Sequence, residues 1–180
     1  FVATLFESWT LLYFILLYIA IIWYVNEDYR HWIIPLVALF TVTVLFYTYS
    51  LFYKIDLIAF WQNKYAVGFN FSYFDNVYQN IALSFFATIA VLFIVHQIMN
   101  IKSIALNQQN IYKSIIICFL IGAIIYIIAP EKSNGLLVFT FFPLSIIGGN
   151  FVANTPTKWV KEAVLGTILL VSLILFFIKL

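Results

Sequence analysis

The sequence predicts an all-α protein, a bundle of transmembrane helices with about six spans, some of them short or broken. Of 180 residues, only nine are Lys or Arg and seven are Asp or Glu, whereas 65% are hydrophobic and 21% are aromatic. Soluble domains are roughly 25% charged, so these few charges could not cover the surface of a soluble domain. A membrane barrel is excluded because long runs such as 81–95 do not alternate between polar and apolar residues.

Six apolar runs approach the length of about 20 residues with which a helix crosses a hydrocarbon core of about 30 Å. In chain order they are 10–25, 32–52, 81–99, 115–129, 136–151 and 163–177. A shorter apolar stub precedes them and ends in a turn at Glu7. Since the chain opens with Phe1 and its single methionine is Met99, we interpret it as the C-terminal part of a longer polypeptide, forming one transmembrane domain over 1–180.

The basic residues of the connections predict the orientation. The loops 26–31, 100–114 and 152–161 lie on one side of the membrane and carry five Lys or Arg, against four on the other side. Short cytoplasmic loops are enriched in basic residues. We therefore expect these three loops in the cytoplasm and the long loop 53–80 outside.

The sequence lacks the residue patterns that metal sites, phosphate-binding loops and nucleic-acid-binding proteins require. A single cysteine, Cys118, and two histidines in different segments, His31 and His96, do not form a metal-ligand pattern; His96 is expected to be an interfacial residue. There is no glycine-rich phosphate loop, and a net charge of +2 does not predict a nucleic-acid partner. No cofactor and no metal are predicted.

The outer loop 53–80 contains nine aromatic residues, Trp61 among them, and the carboxylates Asp56 and Asp75 are interspersed with these rings. Aromatic rings beside carboxylates suit stacking on sugars or lining a groove for lipid headgroups. The alternative is a segment lying in the membrane interface, where Trp and Tyr concentrate.

Glu7 and Trp9 form a second candidate site. An ionisable residue near membrane depth is costly and is a functional hypothesis by default. The alternative is an aqueous turn at Glu7, with Trp9 as an interfacial anchor.

The runs 115–129 and 136–151 are short for straight spans, and the second contains Pro143 and the pair Gly148-Gly149. Short segments interrupted by Pro or Gly often border a substrate path. The alternative is a kinked helix packed closely through Gly149 and Ala153, which have small-xxx-small spacing. Lys132, in the connection, could meet an anionic headgroup or be a solvated loop charge.

The runs FVATLFESWTLLY at 1–13, RHWIIPL at 30–36, FSYFDNVYQN at 71–80 and LVFTFFPL at 137–144 resemble a family of integral membrane proteins of unknown function from Flavobacteriia. The resemblance covers most of the chain. It implies a multi-pass protein of a bacterial inner membrane with several further spans upstream, and it implies no activity.

The chain is also similar, more weakly, to class C glycosyltransferases, which use polyprenyl-linked sugars. The similarity lies in the acidic residue before a Leu-rich span, LFESWTLL at 5–12, and in the late Phe142-Pro143-Leu144. Their key acidic residue lies in the first outer loop, which would fall upstream of Phe1.

Three functions are therefore open. The first is a non-catalytic subunit or scaffold of an inner-membrane envelope assembly, because the chain has no catalytic constellation and much apolar surface for helix packing. The second is a glycosyltransferase-like enzyme, and the third a secondary transporter. Expected partners are membrane lipids and other integral membrane proteins, with a polyprenyl-phosphate lipid as a further candidate. Whether the protein is an enzyme stays open.

Overall fold

A computed structural model describes residues 2–24, 29–64, 68, 77–129 and 134–179. Within these residues the regular structure is helical and contains no strand. The α-helices are α1 Ala3–Phe6, α2 Tyr13–Tyr24, α3 Arg30–Tyr53, α4 Leu57–Lys64, α5 Val77–Asn100, α6 Leu106–Ile128, α7 Val138–Asn154 and α8 Lys158–Lys179. Short 3₁₀ turns are Ser8–Leu12, Ile101–Ser103 and Asn134–Leu137.

Five of the helical segments in the described ranges are long and apolar enough to cross a membrane. They are Arg30–Tyr53, Val77–Ser103, Gln108–Ile128, Gly135–Asn154 and Lys158–Phe177. The all-helical prediction and five of the six predicted spans are thereby confirmed at the level of length and composition. The sixth, predicted at 10–25, corresponds to the shorter apolar helix Ser8–Tyr24, which opens with a 3₁₀ turn.

The runs 115–129 and 136–151 were expected to be short for a span, and both belong to longer helical segments. α6 has 23 residues and begins at Leu106, because the polar residues 107–110 continue the helix where hydropathy alone places a loop. α7 runs through Pro143 without interruption, and the 3₁₀ turn before it extends the apolar segment to 20 residues, Gly135–Asn154. The predicted loop 100–114 is accordingly almost all helical.

The chain divides into two compact units. The first comprises Phe1–Asn70 and Ile117–Thr140. Its core is a cluster of four buried apolar residues. They are Ile121, Ile125, Ala129 and Leu136. Helices α2 and α3 also meet in this unit, where the Tyr18 ring lies 5.7 Å from the Trp32 ring.

The second unit comprises Phe71–Ile116 and Phe141–Leu180. α5 and α7 pack closely there. The ring of Phe93 lies 5.1 Å from that of Phe151, and Phe86 meets Phe141 edge to face at 4.9 Å. The buried residues of this core are Ala90, Phe93, Leu144, Ile147 and Phe151.

Candidate functional site

Glu7 interrupts the first helical segment. Its backbone is extended, with φ −127° and ψ 104°, so α1 ends at Phe6 and a new turn begins at Ser8. The Glu7 carbonyl oxygen accepts hydrogen bonds from the Thr10 hydroxyl at 2.8 Å and the Thr10 amide at 3.1 Å. The Glu7 side chain is half-buried and has no ion-pair partner among the described residues. The sequence therefore correctly marked a turn here.

The two residues after Glu7 point into the protein. Ser8 is 2% exposed, and its Oγ has no hydrogen-bond partner in the described part of the chain. Trp9 packs against the Ile121 and Ile125 cluster. Trp9 is therefore a packing residue of the first unit, and burial of its ring holds the start of this segment against α6.

A cavity of about 140 Å³ lies in the first unit. Its walls come from α1, the turn after Glu7, α3 and α4. The lining residues are Thr4, Leu5, Leu11, Leu39, Val42, Thr43, Phe46 and Trp61. Thr43 donates its hydroxyl to the Leu39 carbonyl at 2.9 Å, so that hydroxyl is satisfied within its own helix. The cavity is therefore suited to a hydrocarbon group.

The segment 53–80 contributes α4, and Asp56 explains why this helix begins where it does. The Asp56 carboxylate accepts hydrogen bonds from the amides of Ile58 at 3.0 Å and Ala59 at 3.3 Å, the arrangement of a helix N-cap. α4 then places Trp61 against Phe46, with ring centroids 5.8 Å apart. The carboxylate suggested for binding thus has a structural role.

Among the residues predicted for the site, Trp61 lines this cavity, whereas Glu7 is not one of its lining residues. Asp56 lies at the start of the helix that carries Trp61. Asp75 and Lys132 lie outside the described residues. Pro143 belongs to the second unit and is buried.

At Pro143 the missing backbone hydrogen bond is replaced by one from another helix. A proline has no amide hydrogen, so it cannot donate to the carbonyl four residues earlier, which is that of Phe139. The Tyr13 hydroxyl lies 3.2 Å from that carbonyl oxygen and donates to it instead. The helix therefore stays intact at a position where the sequence suggested a break.

The glycines of α6 and α7 divide into two kinds. A Cβ on Gly122 would lie 2.7 Å from the Phe139 carbonyl oxygen, and one on Gly148 would lie 2.9 Å from the Phe93 ring. A Cβ on Gly149 would meet nothing within 4 Å. Gly122 and Gly148 therefore serve packing within the chain, and Gly149 does not.

Gly149 lies in a row of small, exposed residues on α7, which we call the small-residue face: Ser145, Gly149 and Ala153. These positions recur every four residues, so they lie along one side of the helix. The Gly149–Ala153 spacing was visible in the sequence. Ser145 was missed, although its spacing of four from Gly149 was a sufficient signal.

His96 is half-buried near the end of α5 and packs edge to face on Phe151, with ring centroids 4.7 Å apart. The Asn100 side-chain amide lies 2.9 Å from its Nε2. In the described part of the chain, no three His, Cys, Asp or Glu side chains come together as a metal site would require. His96 thus takes part in packing at this helix end.

Comparison with known proteins gives a family and no activity. No curated protein and no solved structure matches the chain. One family model matches residues 2–180, which is nearly the whole chain. The chain therefore belongs to DUF6427, a family of unknown function.

Proposed function

We propose that this protein is a non-catalytic, multi-pass subunit of a bacterial inner-membrane assembly. In this proposal the small-residue face of α7 packs against a helix of another integral membrane protein. Small residues at membrane helix interfaces let two backbones approach closely, so that dispersion forces and weak hydrogen bonds can act. The observation that carries the proposal is the contrast among the glycines.

Gly122 and Gly148 already have neighbours from their own chain at contact distance, whereas Gly149 faces open space. A glycine inside a helix costs about 1 kcal/mol relative to alanine. Close packing offsets this cost at Gly122 and Gly148, but not at Gly149 or at Gly166 on α8. Packing against a second protein would supply the missing compensation.

The surroundings of the small-residue face suit a partner in the membrane. Phe142, one turn before Ser145, is 68% exposed. Ser145 donates its hydroxyl to the Phe142 carbonyl at 2.7 Å. The side-chain hydroxyl on the small-residue face is therefore already hydrogen-bonded within α7. A partner would therefore contribute an apolar helix rather than a soluble domain.

Ala153→Leu tests this proposal, with Ala87→Leu on α5 as the matched control. Both alanines are exposed, so neither leucine is expected to disturb the fold. The full-length protein would be purified from native membranes in mild detergent and its complexes weighed by native mass spectrometry. We expect Ala153→Leu to remove a stoichiometric membrane-protein partner that the wild type and Ala87→Leu retain. A wild-type protein that is isolated without a partner and turns over a lipid-linked sugar would overturn the proposal.

The glycosyltransferase-like alternative rests on Glu7, Asp56 and Asp75 as acidic groups. Asp56 is engaged as the N-cap of α4, which leaves this alternative with less support than the subunit proposal. The transporter alternative has no specific observation in its favour.

A further inference from the structure

α5 and α7 run parallel in the second unit. Phe86 of α5 packs on Phe141 of α7, and further along both helices Phe93 packs on Phe151. Both helices therefore finish at the same end of the unit. Short connections lead from there directly into α6 and α8. The residues around these four helix ends consequently lie together at one end of the second unit.

This end of the second unit is basic. It carries four lysines, which define what we call the lysine end: Lys102, Lys113, Lys158 and Lys161. Lys158 and Lys161 are three residues apart at the start of α8, so they lie on one side of that helix. Glu162 is the only Asp or Glu in the described part of this unit. Four lysines against one carboxylate leave the lysine end with an excess of three positive charges.

Large apolar side chains are exposed beside these lysines. Trp159 is 85% exposed, Leu106 83% and Met99 75%, which makes them three of the four most exposed large apolar side chains in the described part of the chain. Trp159 follows Lys158 directly, and Met99 and Leu106 lie on either side of Lys102 in the chain. The boundary between lipid headgroups and acyl chains accepts an apolar side chain next to a cation. This combination therefore suits a membrane surface better than a soluble partner.

We propose that the lysine end binds anionic phospholipids of the membrane leaflet that it faces. Lys158 and Lys161 donate hydrogen bonds to phosphate oxygens of the headgroups, and Trp159 lies at the boundary between headgroups and acyl chains. Groups of about four to eight basic residues beside a membrane-spanning helix are typical of proteins that bind anionic lipids. A zwitterionic phospholipid fits this end less well, because the lysines repel its ammonium group. The inference concerns one end of the second unit and does not depend on the small-residue face of α7.

The test compares lipids that share acyl chains and differ in headgroup charge. The full chain, delipidated in mild detergent, would be titrated with dioleoyl phosphatidylglycerol and dioleoyl phosphatidylcholine, and bound lipid counted by native mass spectrometry. We expect phosphatidylglycerol to bind about tenfold more tightly, the scale of one charge-assisted hydrogen bond. Because the attraction is electrostatic, an increase in salt from about 0.1 M to about 1 M should reduce this preference severalfold. Equal binding of the two lipids, or a preference that salt does not change, would overturn the proposal.

Two double variants locate the site. Lys158→Gln/Lys161→Gln keeps most of the side-chain length and should reduce the preference for phosphatidylglycerol to about twofold or less. The control Lys54→Gln/Lys179→Gln removes two lysines outside the lysine end, one directly after α3 and one at the far end of α8, and should keep the preference. An unchanged preference in Lys158→Gln/Lys161→Gln, or an equal loss in the control, would refute the assignment. The salt dependence of the wild-type chain decides the matter even if the change at the half-buried Lys161 disturbs folding.

Discussion

The Tyr13 hydroxyl donates a hydrogen bond of 3.2 Å to the carbonyl oxygen of Phe139, the carbonyl that Pro143 leaves without its helical donor. Tyr13 and Phe139 are 126 positions apart in the chain. The Tyr13 hydroxyl nevertheless replaces the backbone donor that Pro143 lacks. The rings of Tyr13 and Phe139 also lie near each other, with centroids 6.0 Å apart. This pair fastens the start of α7 to α2 within the first unit.

Removal of the Tyr13 hydroxyl tests this relationship. Tyr13→Phe should lower the free energy of unfolding by about 1 kcal/mol, because the Phe139 carbonyl loses its donor. In a Pro143→Ala background the same change should cost less, because the alanine amide can donate to that carbonyl. Unfolding of the four proteins in detergent would be followed by circular dichroism. Tyr18→Phe, which removes an exposed hydroxyl 3.4 Å from the Trp32 carbonyl, is the control and should change stability little; equal costs of Tyr13→Phe in both backgrounds would contradict the account.

Gly122 and Gly149 should respond in opposite ways to the same substitution. Gly122→Ala brings a methyl group to 2.7 Å from a backbone oxygen that cannot move freely, and should destabilise the protein by about 1–3 kcal/mol. Gly149→Ala adds a methyl group in open space and improves helix propensity, so it should be neutral or stabilising by up to about 1 kcal/mol. Thermal unfolding of the two variants side by side measures the difference. Equal destabilisation by the two substitutions would contradict the finding that Gly122 is closely packed and Gly149 is not.

Asp56 offers a way to separate a structural carboxylate from a catalytic one. Asp56→Ala should destabilise α4 by about 1 kcal/mol because it removes the N-cap, whereas Asp56→Asn should retain the cap. Hydrogen exchange over residues 57–64 would report this directly. If Asp56→Asn kept the protection of α4 but abolished function in cells, the carboxylate would have a chemical role beyond capping, in favour of the enzyme alternative.

Composition was sufficient to predict the helical fold and five of its membrane-length segments, because runs of apolar residues dominate this chain. The Asp56 cap could also be predicted from the sequence, since an aspartate directly before an apolar run is a helix-start signal. The start of α6 was not, because residues 107–110 are polar and lower the local hydropathy although they continue the helix. The sequence left the continuity of the helix at Pro143 open for a different reason. Its missing donor is compensated by Tyr13, a residue so distant in sequence that no local pattern could indicate the contact.

The candidate site was predicted in part for the same reasons. Glu7 and Trp61 were recognised by residue type, but the place of Trp61 in the cavity wall depends on how α1, α3 and α4 pack. Gly149 and Ala153 were recognised by spacing, whereas the exposure of the small-residue face depends on which side of α7 the chain itself covers. Spacing predicts that residues share a face of a helix, and only packing decides whether that face is free.

Cross-linking at the small-residue face tests the central claim most directly. In a Cys118→Ala background, Gly149→Cys and the control Ala87→Cys would each place one thiol on an exposed helix face, and native membranes would be treated with a thiol cross-linker. The account predicts that Gly149→Cys yields one recurrent cross-linked product, identified by mass spectrometry as an integral membrane protein, and that Ala87→Cys does not. A chain that stays uncross-linked at both positions, while lipid-soluble thiol reagents label them equally, would contradict the account.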